Sequence, residues 1–215
     1  MSKLFNLLRL DISNIVFITF TADFKHMRDG SKTRQRISDE ALRLFVEKGI
    51  AETSIRDIAR AAHVAEGALY RHYASKDDLA WRLFADQYAA LGAAVDAVQA
   101  AEPTFEGKVH ALVRHFCQAF DDNPVLFSYL LLSQHDQLRK VTQQMANPLS
   151  VVRRVIAEAL AQQPGDHRDP AVVSAMVLGL VLQVAVERTY GRIAVPLTSL
   201  ADTLASACWR VVKET

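Results

Sequence analysis

Glu66, Gly67, Tyr70, Arg71, His72 and Lys76 crowd into one short stretch, AEGALYRHYASK. A core helix has no use for so many polar groups and rings around a glycine. Their chemistry suits a polyanion whose edges carry hydrogen-bonding groups. Gly67 lets a backbone come close, and the flanking Ala65 and Ala68 keep the same front low. A carboxylate such as Glu66 accepts from a cytosine amino group; it also favours a helix N-terminus simply by its charge. Tyr70 offers a hydroxyl to phosphate and a ring to a thymine methyl. Arg71 and His72 add donors, with His72 read as a backbone contact or spacer. Lys76 falls where a following helix would begin, and exposed N–H groups there already favour phosphate. Arg34 and Ser54 can clamp a nucleic-acid backbone from the other flank. Ser54 is first of all a helix cap. Tyr73 reads as the rim of a core.

These residues need elements to hold them. Ser54 with Asp57 has capping-box spacing and opens a short helix whose stripe is Ile55, Ile58, Ala59 and Ala62. Val64, Ala68, Leu69 and Tyr73 supply a facing apolar side. Two short helices joined by a turn of about three residues have the spacing of a helix-turn-helix. That arrangement holds its second helix proud, able to enter a major groove. The motif occupies 54–73, inside a head expected over 31–91. Ahead of it, a helix capped by Ser31 and ended by Gly49 carries Ile37, Ala41, Leu44 and Phe45 on one face.

The stretch ISDEALRLFVEKGIAETSIRDIARAAHVAEGALYRHYASKDDLAWRLF resembles the tetracycline-repressor (TetR) family of bacterial transcription regulators. The resemblance runs from Thr33 to Leu83 and rests on an ordered set: Phe45 and Gly49, Thr53-Ser54-Ile55, Ile58-Ala59, Val64, Gly67, Leu69-Tyr70, Tyr73, and Ser75 to Leu79. It implies a homodimeric, all-α regulator with a DNA-binding head and an effector-binding body. By the match, Ala65 to Ala68 and Tyr70 to His72 fall on the recognition helix, and Tyr70 and Lys76 on backbone-contact positions. Two residues depart from the pattern. His63 stands where the turn often carries glycine, and Ala65 where Ser or Thr often caps the recognition helix.

The rest of the chain is helical punctuation. Ser75 with Asp78, Pro103-Thr104, Asn123-Pro124, Asn147-Pro148 and Asp169-Pro170 each mark a helix start. Gly191 closes one helix, and Pro196 and Ser199 precede the last. About nine helices result, with no hairpin signal. Residues 92–215 form the expected effector-binding and dimerisation body. Its helix from Asp169 to Tyr190 is apolar nearly all round. With the final helix it would make a four-helix dimer interface, as the resemblance implies, a monomeric core being the alternative; two-fold symmetry in turn predicts a palindromic operator.

An effector cavity is expected among the middle helices. Its candidate walls are Trp81, Phe84, Tyr88, Phe116, Phe120, Phe127, Tyr129 and Met176, each equally suited to plain core. Candidate polar handles are Arg114, His115, Gln134 and His135. The favoured occupant is a small apolar effector; a body that binds a protein partner is the alternative. A helical enzyme using His115 or His135 with Asp136 finds no phosphate loop, nucleophile elbow or metal motif to support it. No catalytic residue, metal site or cofactor is expected.

With 25 Lys and Arg against 24 Asp and Glu, the net charge is +1, so any anion-binding face must be local. The two cysteines, Cys117 and Cys208, read as reduced thiols of a cytoplasmic protein. Residues 1–26 carry the apolar run ISNIVFITF, too short to span a bilayer. They read as an extension outside the fold, an arm packed on the body being the alternative.

Overall fold

The computed structural model describes residues 29–142 and 145–213. The expectation for residues 1–26 therefore lies outside the described residues. Those described fold into nine α-helices with no strand among them. In chain order they are α1 (Asp29–Lys48), α2 (Ile55–Ala61), α3 (Glu66–Tyr70), α4 (Lys76–Ala100), α5 (Phe105–Asp122), α6 (Pro124–Gln137), α7 (Pro148–Ala161), α8 (Pro170–Thr189) and α9 (Ala201–Lys213). Single 3-10 turns, Leu138–Lys140 and Leu197–Leu200, follow α6 and precede α9.

The helix starts follow local chemistry. Asn123, Asn147 and Asp169 each accept a main-chain N–H with the side chain and are each followed by proline. That proline gives up a donor that would have been an orphan anyway. Thr104 caps α5 through Gly107 N–H at 3.0 Å. Ser75 caps α4 through Asp78 N–H, but Asp78 reaches back to Ala74 N–H rather than to Ser75, so the box is offset by one residue. One expected start was wrong: α1 begins ahead of Ser31, which lies inside the helix. Gly49 and Gly191 end their helices with φ of +84° and +72°, conformations costly to other residues.

Packing sorts into two apolar clusters. Ile37, Ala41, Leu44 and Phe45 of α1 are all buried, as their spacing requires, against Ile58 and Leu69 of the short helices and Tyr73 just beyond them. This head cluster continues into Phe84 and Tyr88 of α4 and into Tyr129 and Leu130 of α6. Thr53 joins the end of α1 to the start of α2, its hydroxyl donating to Gly49 O at 2.7 Å. The second cluster is built from α5 to α9, with α9 lying on α5 and α8. α4 passes unbroken through residues 91 and 92, where head and body were divided from sequence, and packs on α1 as well as on α5 and α7.

Candidate nucleic-acid interface and body cavity

α2, the turn and α3 set the candidate interface. Ser54 Oγ accepts from Asp57 N–H at 3.1 Å, and Asp57 Oδ2 accepts from Ser54 N–H at 3.1 Å, a complete capping box. The Ser54 hydroxyl also donates to Asp57 Oδ2 at 2.7 Å, and this bond, with that from Ser54 N–H, holds the Asp57 carboxyl below its ordinary range. The turn is closed by Val64 N–H donating to Ala59 O at 2.9 Å, and His63 sits at φ 53°. The residue standing in glycine's place thus adopts glycine's conformation, which histidine tolerates better than most. Ala65 occupies the N-cap of α3 with extended backbone and supplies no side-chain bond. Such a vacancy costs about 1 kcal/mol relative to Ser or Thr.

α3 presents its front to solvent. A Cβ added at Gly67 would meet nothing within 4 Å. Tyr70 is 58% exposed, Arg71 is exposed, and His72 is half-buried with its ring near Tyr73. Ala68 is buried and turned toward the core, so only Ala65 and Gly67 keep the exposed front low. Tyr73 is buried, with its hydroxyl 3.1 Å from Ser38 Oγ, and serves the core as expected. Lys76 sits in the first turn of α4, and its ammonium donates to Ala51 O at 2.9 Å. Arg34 lies on α1, 3.9 Å from Asp86, which ties it to α4. Glu66 accepts from Arg56 Nε at 3.0 Å. Arg56 was not singled out from sequence. Its place on the exposed side of α2, ten positions ahead of a carboxylate across a turn, was the available signal.

The body holds an apolar cavity of about 120 Å³ that is partly open to solvent. α4 to α8 all wall it. Of the residues expected there, Tyr88, Phe116, Phe127 and Gln134 line it. The others lie elsewhere. Phe84 and Tyr129 are buried in the head cluster, and Tyr129 donates to Ala80 O at 2.6 Å. Trp81 stacks on Phe84, with Lys140 Nζ 5.6 Å from its ring. Phe120 is buried behind Phe116 and Phe127. Arg114 pairs with Asp202 on the surface at 2.9 Å. Met176 is 56% exposed and faces away from the protomer. His115 is not among the wall residues, and burial pushes its imidazole below the ordinary value. The His135 side chain lies outside the described set.

Most of the wall is aliphatic and was not foreseen: Leu91 and Val95 of α4, Leu112 of α5, Leu130 of α6, Val152 of α7 and Leu178 of α8 are examples. Tyr88 is one of its polar groups. Its hydroxyl donates to Asn147 Oδ1 at 3.0 Å, and burial pushes it up to about 12. Among the described residues no group of three or more His, Cys, Asp or Glu is placed to hold a metal. Cys117 and Cys208 are buried free thiols, pushed up to about 11 by burial.

Comparison with known proteins bears on both halves. Residues 37–86 match the model of the bacterial regulatory proteins, tetR family. The HTH-type transcriptional regulator AcrR of Shigella flexneri is 47% identical over 55 residues, 26% of this chain and 26% of that one. The aligned stretch is therefore about a quarter of the curated relative's length. Two solved structures share the fold across both parts. The fatty acid degradation regulator FadR from Bacillus halodurans superposes with a TM-score of 0.69 at 18% identity, covering 85% of this chain and 99% of that one. FadR from Bacillus subtilis, solved with stearoyl-CoA, gives 0.67 at 15% identity, with the same coverage of 85% and 99%. Over its head, residues 37–86, the chain is therefore similar to the tetR family of bacterial regulatory proteins.

Proposed function

We propose that the chain is a cytoplasmic, sequence-specific transcriptional regulator, a homodimeric repressor that a small apolar effector releases from a palindromic operator. The observation that carries the DNA-binding part is the bare front of α3: Gly67 faces open space beside the exposed Tyr70 and Arg71, on a tetR-type head. In this reading Tyr70 and Lys76 grip phosphates, Ser54 and Arg34 support them, and Glu66 and Arg71 address base edges. Residues 31–91 act as the head and 92–215 as the effector-binding and dimerisation body. The cavity supports the effector part because α4 forms one of its walls and also begins at the head. The FadR complex with stearoyl-CoA is a precedent, in this fold, for a ligand that carries a long apolar chain.

The test is selection of duplexes from a random pool with the full chain, followed by mobility-shift titration. A palindrome is expected, with half-site centres one helical turn apart or a multiple. Lys76→Ala should weaken all sequences alike and flatten the salt dependence by ~0.9 per lost phosphate contact. Tyr70→Phe should likewise weaken selected and random duplexes equally. Failure to enrich any sequence would sink the reading.

A further inference from the structure

The walls of the body cavity restrict what can occupy it. Among the described residues that line it, none is charged. Two carry hydrogen-bonding side chains, Tyr88 and Gln134. The Tyr88 proton is committed to Asn147 Oδ1, which also accepts from Leu149 N–H at 2.9 Å. Tyr88 therefore has only lone pairs left to offer. The Gln134 side-chain amide makes no hydrogen bond with any described residue and is half-buried at the wall, so it can both donate and accept. A carboxylate or ammonium brought into such a site would lose its water and gain no opposite charge, a loss that hydrogen bonds to neutral groups do not repair.

We propose that the cavity takes an uncharged molecule with a compact apolar body and one hydroxyl or carbonyl group, held at Gln134 and Tyr88. A hydroxyl suits both groups, since it can donate to the Tyr88 oxygen and can accept from the Gln134 amide. At about 120 Å³ the space is near that of a cavity of roughly 150 Å³ known to hold benzene, which favours a small molecule. This inference deepens the reading of the cavity as the effector site and rests on it for its biological meaning.

Three probes of equal chain length separate the head groups: 1-octanol, octanoate and octylammonium, titrated calorimetrically into the full chain at about pH 7.5. Octanol should bind more than ten-fold tighter than either ion. Gln134→Leu should weaken octanol by about three- to ten-fold, the range for one net hydrogen bond. Toluene, which needs no polar partner, should bind the variant and the parent alike. Octanoate or octylammonium binding within three-fold of octanol overturns the proposal, as does no binding by any of the three. Octanol binding that leaves operator affinity unchanged supports the cavity's chemistry and sinks only the regulatory reading.

Discussion

Arg56 Nε lies 3.0 Å from Glu66 Oε1, joining α2 to α3 across the turn that must stay rigid when α3 enters a groove. Both side chains are substantially exposed, at 74% and 46%, so the pair adds little to stability, of order 0–1 kcal/mol. Its effect lies in orientation. On the proposed reading Glu66 would come to the DNA already held, and Arg56 would come with it. Arg56→Ala and Glu66→Ala should each change the melting temperature little, and each should reduce discrimination at one operator position by about 1 kcal/mol. The double variant should lose no more than either single one, because the two act as a unit. Competition shifts against single-base operator variants measure this. Additive losses would show two independent contacts.

Two helical glycines predict effects of opposite sign. Gly67 has open space where a Cβ would go, so Gly67→Ala should stabilise the free protein by about 0.5–1 kcal/mol through helix propensity. On the proposed reading the same methyl group would stand on the front that approaches the duplex, and should weaken operator binding by about 1–3 kcal/mol, the usual range for overpacking. At Gly92 a Cβ would meet Ala146 C at 2.7 Å and Asn147 N at 2.8 Å, both main-chain atoms. Gly92→Ala should therefore lose about 1–3 kcal/mol to overpacking and regain ~1 from propensity. The net expectation is a fall of about 2–4 °C in melting temperature per kcal/mol lost. Paired thermal and binding titrations of the two variants check both signs.

How much of this was legible in the sequence depended on range. Helix starts at Asn123-Pro124, Asn147-Pro148 and Asp169-Pro170 are local chemistry and could be read directly. So could the stripe of α1 and the special turn residue His63. Ser31 misled because a serine inside a helix looks the same on paper as one that caps it. The cavity was the hard part. Phe84, Tyr129 and Phe116 are alike as residues, and only the crossing of α4, α5 and α6 decides which face the head and which the cavity. Its aliphatic wall resembles any core. The closeness of Gly92 to Ala146 depends on a segment far along the chain, beyond the reach of any local pattern.

Acid sensitivity should centre on Asp166. Its carboxylate accepts from Arg168 Nη2 at 2.6 Å and from Arg168 N–H at 2.9 Å, while the guanidinium also donates to Val211 O and Val212 O near the end of α9. The bonds from Arg168 pull the carboxyl from 3.8 down to about 2. A carboxyl with a depressed folded value favours the fold when ionised. Its contribution is complete above the unfolded value and is lost as pH falls through the folded one. Melting temperature should therefore drop between roughly pH 4 and pH 2. Asp166→Asn should start lower at neutral pH and fall less steeply across that window. Equal slopes for variant and parent would show that Asp166 is not the responsible group.

α8 should carry the dimer. Val172, Met176 and Leu180 are spaced by four and exposed at 53%, 56% and 36%, while Val173, Val177 and Val181 one step round the helix are buried. The helix is long and apolar enough by composition to cross a membrane, yet its buried side packs on α6, α7 and α9. What remains is an apolar stripe flanked by the small exposed residues Ala175 and Gly179, which would let a second helix approach closely. A two-fold axis through this stripe would set it against its own copy. Met176 is 56% exposed, so Met176→Glu should disturb little within the protomer while placing a charge in the middle of this stripe. The variant should keep its helical circular dichroism, sediment as a monomer at micromolar concentration, and bind an operator half-site but not the full palindrome with high affinity. Loss of the second tethered head removes an effective concentration worth about 10²–10⁴ in affinity. Gln183→Glu, exposed on the same helix but polar already, serves as the charge control and should sediment with the parent. A parent chain that is itself monomeric under these conditions would remove the interface from the account.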